Sequence, residues 1–118
     1  MSVYLIHFEK PYKHARHYLG WSDSLAYRLA HHRDGSGARL LQVVNEAGIR
    51  WLLVRVWDGE TRFTERRLKG HSSTRYCPVC NGHAFVCWEC GRVYKRAGWL
   101  RRHNRLIHDS RSEMEEAA

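Results

Sequence analysis

The sequence has no long apolar run and no excess of acidic residues. No stretch approaches the roughly 20 consecutive apolar residues that span a bilayer, and the chain opens without an apolar signal segment. We therefore expect an intracellular, cytoplasmic protein without a membrane partner. Only 12 Asp and Glu residues accompany 20 Lys and Arg residues, which gives a formal charge of +8. This charge disfavours acidic small molecules and favours a phosphate polyanion as the partner.

The four cysteines form two CxxC pairs among nine histidines. This arrangement, in a chain without a signal segment, predicts metal binding in a reducing compartment rather than disulfides. A chain of 118 residues allows one modest domain and one small module, and a bound metal would help to stabilise so small a core.

Apolar periodicity and turn residues predict the element order β-β-α-α-β-α in the first seventy residues. Pro11 lies in a polar segment that is predicted to be a loop, Ser22 or Asp23 is predicted to cap the first helix, and residues 70–74 are predicted to be a linker. The predicted strands span residues 3–8, 17–20 and 50–57, and the predicted helices span residues 24–32, 38–47 and 61–69.

A metal site is predicted in the last third of the chain. Cys87 and Cys90 have the spacing that lets one tight turn direct two thiolates at a single ion. His103 follows after twelve residues and His108 after four more, so both imidazoles are predicted to leave one helix face. Apolar residues stand at the accompanying core positions: Phe85, Tyr94 and Leu100. Residues 85–108 therefore resemble a two-cysteine, two-histidine zinc finger, which implies a ββα module with a structural zinc ion.

The other cysteine pair, Cys77 and Cys80, leaves three alternatives open. The pair could hold a second zinc ion with His71 or His83, or it could be two free thiols. A four-cysteine site that also uses the later pair is less favoured, because only six residues separate the two pairs.

The helix of the predicted finger carries basic residues. In DNA-binding fingers, helix positions −1, 3 and 6 contact bases, and the resemblance assigns these positions to Arg96, Trp99 and Arg102. Arginine can bind guanine O6 and N7 in a bidentate manner, whereas tryptophan could pack or stack instead. The alternative is a solvated basic helix with no ligand. Three further residues are assigned to phosphate contacts: Lys95, Arg101 and Arg105.

Two tyrosine triplets, Ser2-Val3-Tyr4 and Tyr18-Leu19-Gly20, occur on the first two predicted strands. The segment HYLGWSDSLAYRLAHHRDG resembles the second strand, first helix and following turn of the GIY-YIG nuclease family. The resemblance covers about residues 1–69 and implies an α/β fold with a small three-stranded, mainly antiparallel sheet flanked by helices. The tyrosine, arginine, histidine, turn glycine and glutamate of the family fall on Tyr18, Arg28, His32, Gly35 and Glu65.

The resemblance implies hydrolysis of phosphodiester bonds in DNA. Glu65 would hold magnesium or manganese as a hard oxygen ligand, and Arg28 would bind the nonbridging phosphate oxygens. Tyr18, oriented by Tyr4, is the preferred base for the attacking water, and His32 is an alternative base.

The combined prediction is a nuclease domain over residues 1–72, a zinc-binding region over residues 73–110 and a disordered acidic tail over residues 111–118. We expect a nucleoid-associated endonuclease whose zinc finger holds double-stranded DNA. Two alternatives are a non-catalytic DNA-binding or regulatory protein with a nuclease-like fold, and a zinc-finger adaptor that binds another protein. Glu65 could then simply form an i, i+4 pair with Lys69, worth about 0.3 kcal/mol.

Overall fold

The computed structural model describes residues 1–70 and 72–109, except for the side chains of residues 108 and 109. The predicted acidic tail and His71 therefore lie outside the described residues. The chain divides into two units, Met1–Asn81 and a second unit that begins at Gly82. This division falls later than the predicted boundary after residue 72. The reason is that Cys77 is fully buried in a core of the first unit, so the segment around it belongs to that unit.

The first unit contains a three-stranded antiparallel sheet with helices, which confirms the predicted α/β class. The strand order is β2-β1-β3, with the longest strand in the middle. The predicted element order is also confirmed. The elements are β1 Ser2–Tyr12, β2 Ala15–Ser22, α1 Leu25–Asp34, α2 Arg39–Glu46, β3 Trp51–Asp58 and α3 Arg62–Lys69.

The two faces of the sheet bury different cores, because successive side chains of a strand point to opposite faces. Tyr4, Ile6 and Phe8 of β1 belong to a core that also includes residues of α2 and β3. The alternate residues Val3 and Leu5 belong to a second core with partners on β2, α3 and the segment that follows α3. The second core contains Val3, Leu5, Leu19, Leu68 and Cys77 as its buried members.

Strand β1 continues through Pro11, where the sequence predicts a loop. Pairing with β3 ends near Phe8 and Glu9, whereas pairing with β2 resumes at Tyr12, which is opposite Ala15. Because β1 has no β3 partner at Pro11, the missing backbone N–H of proline breaks no hydrogen bond to that strand. The hairpin is therefore longer than the apolar pattern alone predicts.

Helix α1 begins and ends slightly later than predicted. Ser24, rather than Ser22 or Asp23, is its N-cap residue, and the Ser22 hydroxyl accepts a hydrogen bond from the Ser24 N–H at 3.0 Å. The helix is terminated by Gly35 at a φ of 86°, a left-handed conformation that glycine adopts without strain.

In the second unit, strand β4 (Phe85–Cys87) pairs antiparallel with β5 (Arg92–Tyr94). Helix α4 (Ala97–His103) follows and continues directly into a π-helical segment, Asn104–Asp109. Within the described part of the chain, no helix has the length and apolar character needed to cross a membrane.

Candidate active site and metal clusters

Tyr4 and Tyr18 lie on neighbouring strands, and their ring centroids are 6.1 Å apart. Gly20 makes this packing possible. It lies directly opposite Tyr4 in the β1–β2 register, and a Cβ atom added to it would be 2.6 Å from the Tyr4 hydroxyl and 2.8 Å from the Tyr18 ring. A residue with a side chain at this position would therefore displace one or both tyrosines.

His32, near the end of α1, completes the tyrosine pair. It is fully buried, its Nε2 atom is 2.7 Å from the Tyr4 hydroxyl, and its ring meets that of Tyr18 edge-on at 5.3 Å. The backbone N–H of Ala38 donates to His32 Nδ1 at 3.4 Å. A neutral imidazole that accepts at Nδ1 carries its proton on Nε2, so His32 donates to the Tyr4 oxygen.

The surroundings of these side chains shift their protonation equilibria. Burial, together with the neighbouring Tyr18, raises the pKa of Tyr4 well above its usual value, although Arg28 acts in the opposite direction. Burial, followed by the positive charge of Arg28 and by His31, lowers the pKa of His32 to about 4. At neutral pH Tyr4 is therefore protonated and His32 is uncharged.

Glu65 lies on α3, and its carboxylate forms an ion pair with Lys69 at 2.8 Å. Among the described residues, no hydrogen bond or ion pair joins Glu65 to Tyr4, Tyr18 or His32. Lys69, however, lines a cavity of about 260 Å³ that Tyr18 also lines. The full lining is His17, Tyr18, Leu19, Leu68, Lys69 and Ser73.

The second unit gathers three of the four predicted zinc ligands. The ligand atoms of Cys87, Cys90 and His103 all lie within 4.8 Å of one another, so this cluster could hold a metal ion. His108, the fourth predicted ligand, is in the π-helical segment, and its side chain lies outside the described residues. His103 and His108 are five positions apart. In an α-helix, this spacing rotates the second residue by roughly 140° beyond a full turn from the first, whereas the wider π-helix, with its i→i+5 hydrogen bonds, places the two residues roughly one turn apart.

The predicted DNA-contacting residues lie on or next to helix α4. Arg96 immediately precedes the helix, and its guanidinium group is 5.4 Å from the ring centroid of Trp99. Trp99 is 52% exposed. Trp99 and Arg102 also line a largely apolar cavity of about 330 Å³ beside Tyr94 and His103. Three other predicted contacts are solvent-exposed: Lys95, Arg101 and Arg105.

Cys77 and Cys80 converge with His7 of β1 and His17 of β2, and the four ligand atoms lie within 4.8 Å of one another. This cluster could also hold a metal ion. The predicted partners were different: His83 is exposed, and His71 lies outside the described residues. The two cysteine pairs belong to separate clusters, which also differs from the four-cysteine alternative.

Comparison with known proteins adds no relative. No family model, curated protein or solved structure matches the chain.

The structure thus brings together most, but not all, of the residues that the sequence singles out. Tyr4, Tyr18 and His32 pack together, with Arg28 close enough to influence the pKa of Tyr4. Among the described residues, the partner found for the Glu65 carboxylate is Lys69, and no contact brings Glu65 to this group. Sequence analysis missed His7 and His17 as metal-cluster residues. The available signal was a histidine in the run Val3 to Phe8, whose other members are apolar.

Proposed function

We propose that this chain is a metal-dependent DNA endonuclease of the GIY-YIG type, whose C-terminal zinc finger holds duplex DNA. The observation that carries the proposal is the contact of Tyr4 and Tyr18 with His32, beside the Arg28 cation. Phosphodiester hydrolysis needs a proton acceptor and a group that binds phosphate oxygens, and Tyr18 and Arg28 are the proposed groups for these two roles.

In the proposed reaction, a water molecule attacks the phosphorus atom and the bond to the leaving sugar oxygen breaks. Tyr18, in its deprotonated phenolate form, is the preferred group to take the water proton, because it is only partly buried whereas Tyr4 is fully buried. The raised pKa of Tyr4 keeps its own proton in place. Tyr4, held by the Nε2–H of His32, then positions Tyr18, and Arg28 binds the nonbridging oxygens.

Glu65 is the proposed ligand of magnesium or manganese. A magnesium site in such enzymes commonly uses one or two carboxylates together with substrate phosphates, so a single glutamate fits this ion. When bound, the ion would neutralise charge that develops on the phosphate. Lys69 holds one oxygen of Glu65 at 2.8 Å, so we propose that Lys69 turns toward the DNA phosphates when the ion is bound.

The proposed zinc finger consists of β4, β5 and α4, with Cys87, Cys90, His103 and His108 as ligands. The close approach of the first three ligand atoms and the direct continuation of α4 into the π-helical segment support it. Arg96, Trp99 and Arg102 are the proposed base contacts. The flanking basic residues Lys95, Arg101 and Arg105 are the proposed phosphate contacts.

Nicking of supercoiled plasmid DNA tests the proposal. The wild-type chain is expected to nick the plasmid with magnesium or manganese and to stop when a chelator is added. Arg28→Ala and Glu65→Gln are expected to lower the rate by about 100-fold or more, because each removes a group that stabilises transition-state charge. Arg39→Ala and Glu46→Gln, which change exposed residues of α2, are the matched controls and should retain the wild-type rate.

A specific observation favours a second candidate, a DNA-binding protein that does not cut. The Glu65 carboxylate already has a cationic partner in Lys69 and therefore has no evident need for a metal ion. In that case the wild-type protein would bind duplex DNA but leave plasmid, linear and branched DNA intact with either metal. Arg28→Ala would then weaken binding without any cleavage to lose, and the endonuclease proposal would be rejected.

A further inference from the structure

The cluster of His7, His17, Cys77 and Cys80, here called the hairpin cluster, has the dimensions of a tetrahedral metal site. Zinc bonds of about 2.3 Å to sulfur and about 2.0 Å to nitrogen place tetrahedral S and N ligands roughly 3.5 Å apart and two N ligands roughly 3.3 Å apart. The sulfur–nitrogen distances are 3.4 Å for Cys77 and His7, 3.7 Å for Cys80 and His7, and 3.4 Å for Cys80 and His17. The two imidazole nitrogens are 3.1 Å apart.

The elements that hold the hairpin cluster fix its geometry. His7 and His17 are direct cross-strand neighbours in the β1–β2 register, so their side chains leave the same face of the sheet. Cys77 and Cys80 come from a CxxC turn that follows a short 3₁₀ turn, Ser73–Tyr76. Three of the four residues are buried, and the fourth, Cys80, is partly buried. Burying polar groups costs free energy unless they are paired, and a single metal ion would bind all four ligand atoms of the hairpin cluster.

The orientation of His17 also suits a metal ligand. Its Nε2 atom faces the cysteines, while its Nδ1 atom is 3.1 Å from the Ser73 hydroxyl. When Nε2 binds a metal, Nδ1 carries the proton and donates it to the serine oxygen, as in the outer-shell hydrogen bonds of most histidine ligands.

We propose that the hairpin cluster binds a structural zinc ion, separate from the zinc of the predicted finger. Two thiolates balance the charge of the ion, and four protein ligands leave no open coordination position, which is typical of a structural site. The ion would join β1, β2 and the CxxC turn, although the sequence separation between these ligands reaches 73 residues. Because His17 directly precedes Tyr18 on β2, the ion would also fix the position of β2 next to Tyr18. The proposal does not depend on the nuclease function.

Zinc content, measured on the purified full-length chain by elemental analysis, tests this inference. The wild-type chain is expected to hold two equivalents, one for each cluster. The double variant Cys87→Ser/Cys90→Ser removes finger ligands but leaves all four residues of the hairpin cluster intact, so it should retain one equivalent. His83→Ala, which removes the exposed histidine that the sequence suggested as a partner, should retain both.

Three variants test the hairpin cluster itself. Cys77→Ser/Cys80→Ser and His17→Asn are each expected to lose one equivalent of zinc. Ser73→Ala, in the Cys87→Ser/Cys90→Ser background, should weaken zinc binding by about tenfold in a competition with a chelator. Ser72→Ala, a change to an exposed neighbouring serine, should leave the affinity unchanged.

The Cys87→Ser/Cys90→Ser chain keeps the test decisive even if changes to the hairpin cluster prevent folding. Cobalt added to this chain after its zinc has been removed with a chelator should give the intense visible absorption of a tetrahedral site with thiolate ligands. A chain that holds no zinc and gives no such absorption would overturn the proposal, as would two equivalents retained by His17→Asn. If the zinc contents match these expectations but the chain cuts no DNA, the zinc proposal stands and only the endonuclease proposal fails.

Discussion

Among single residues, Gly20 has the most direct influence on the tyrosine pair. Its backbone lies opposite Tyr4, and the space where a side chain would begin is already filled by two phenol rings. Gly37 has a similar relation to His32, because an added Cβ would collide with His32 Nδ1. Two glycines thus leave room for the side chains on which the proposed chemistry depends.

Gly20→Ala is expected to destabilise the protein by about 1–3 kcal/mol, since the added methyl group forces a crowded core to rearrange. It should also reduce plasmid nicking, because Tyr4 and Tyr18 lose their mutual position. Urea unfolding and the nicking rate measure the two effects. Gly98→Ala is the control, because its added Cβ would be 3.7 Å from the nearest atom, in the Arg101 side chain. Unchanged stability and nicking in Gly20→Ala would contradict this account.

Secondary-structure elements around the site are joined by Asn45 of α2. Its amide Nδ2 donates to the carbonyl oxygen of His32 at 2.7 Å, and its Oδ1 accepts from Trp51 Nε1 at 2.9 Å. One side chain therefore connects the end of α1 to the start of β3. By holding the His32 backbone, it also supports the position of the imidazole that contacts Tyr4.

Asn45→Ala is expected to lower the free energy of unfolding by about 1–3 kcal/mol, because a partly buried carbonyl and an indole N–H lose their partner. Chemical denaturation measures this change. Glu46→Ala alters the neighbouring exposed residue and should change stability by less than about 0.5 kcal/mol. Equal effects of the two substitutions would show that Asn45 does not connect these elements.

Local sequence patterns predict which strands and helices form better than they predict where those elements begin and end. The apolar and β-branched run at the start of β1 and the composition of β3 predict both strands, because such residues suit a buried strand. The passage of β1 through Pro11 could not be predicted, since it depends on where pairing with β3 stops. The π-helical winding after α4 likewise does not follow from the apolar spacing, which fits an ordinary α-helix.

At the scale of the whole molecule, we propose that the first unit cuts DNA and that the second unit binds it. The candidate catalytic residues all lie within Met1–Asn81, and the predicted finger begins after this unit ends. A charge of +8 favours weak, nonspecific attraction to any polyanion, so salt must be controlled in a test of DNA binding.

The double variant Cys87→Ser/Cys90→Ser is therefore expected to raise KM for DNA nicking by about tenfold or more, with kcat nearly unchanged, because it removes contacts that do not take part in the chemical step. Steady-state nicking at fixed ionic strength separates the two constants. His83→Ala serves as the control, since it leaves every proposed finger ligand in place. A loss of kcat at unchanged KM would instead indicate that the finger is needed for catalysis itself.

The sequence by itself determined the features that depend on short separations. The CxxC spacing predicts that Cys87 and Cys90 approach each other, and the helix that follows brings His103 to them. The four-residue spacing of Arg28 and His32 similarly predicts one shared helix face, whereas the resemblance to the nuclease family is what adds Tyr18 to them. In each case a single turn or helix sets the direction of the side chains, so spacing carries the information.

Only the tertiary structure decided which histidines meet Cys77 and Cys80. His7 and His17 become neighbours through the register of two strands, and the chain must then return past α3 before the cysteines reach them. The same holds for Lys69, which both pairs with Glu65 and lines the cavity beside Tyr18. Distances between residues so far apart in sequence depend on strand register and core packing, which no local spacing specifies.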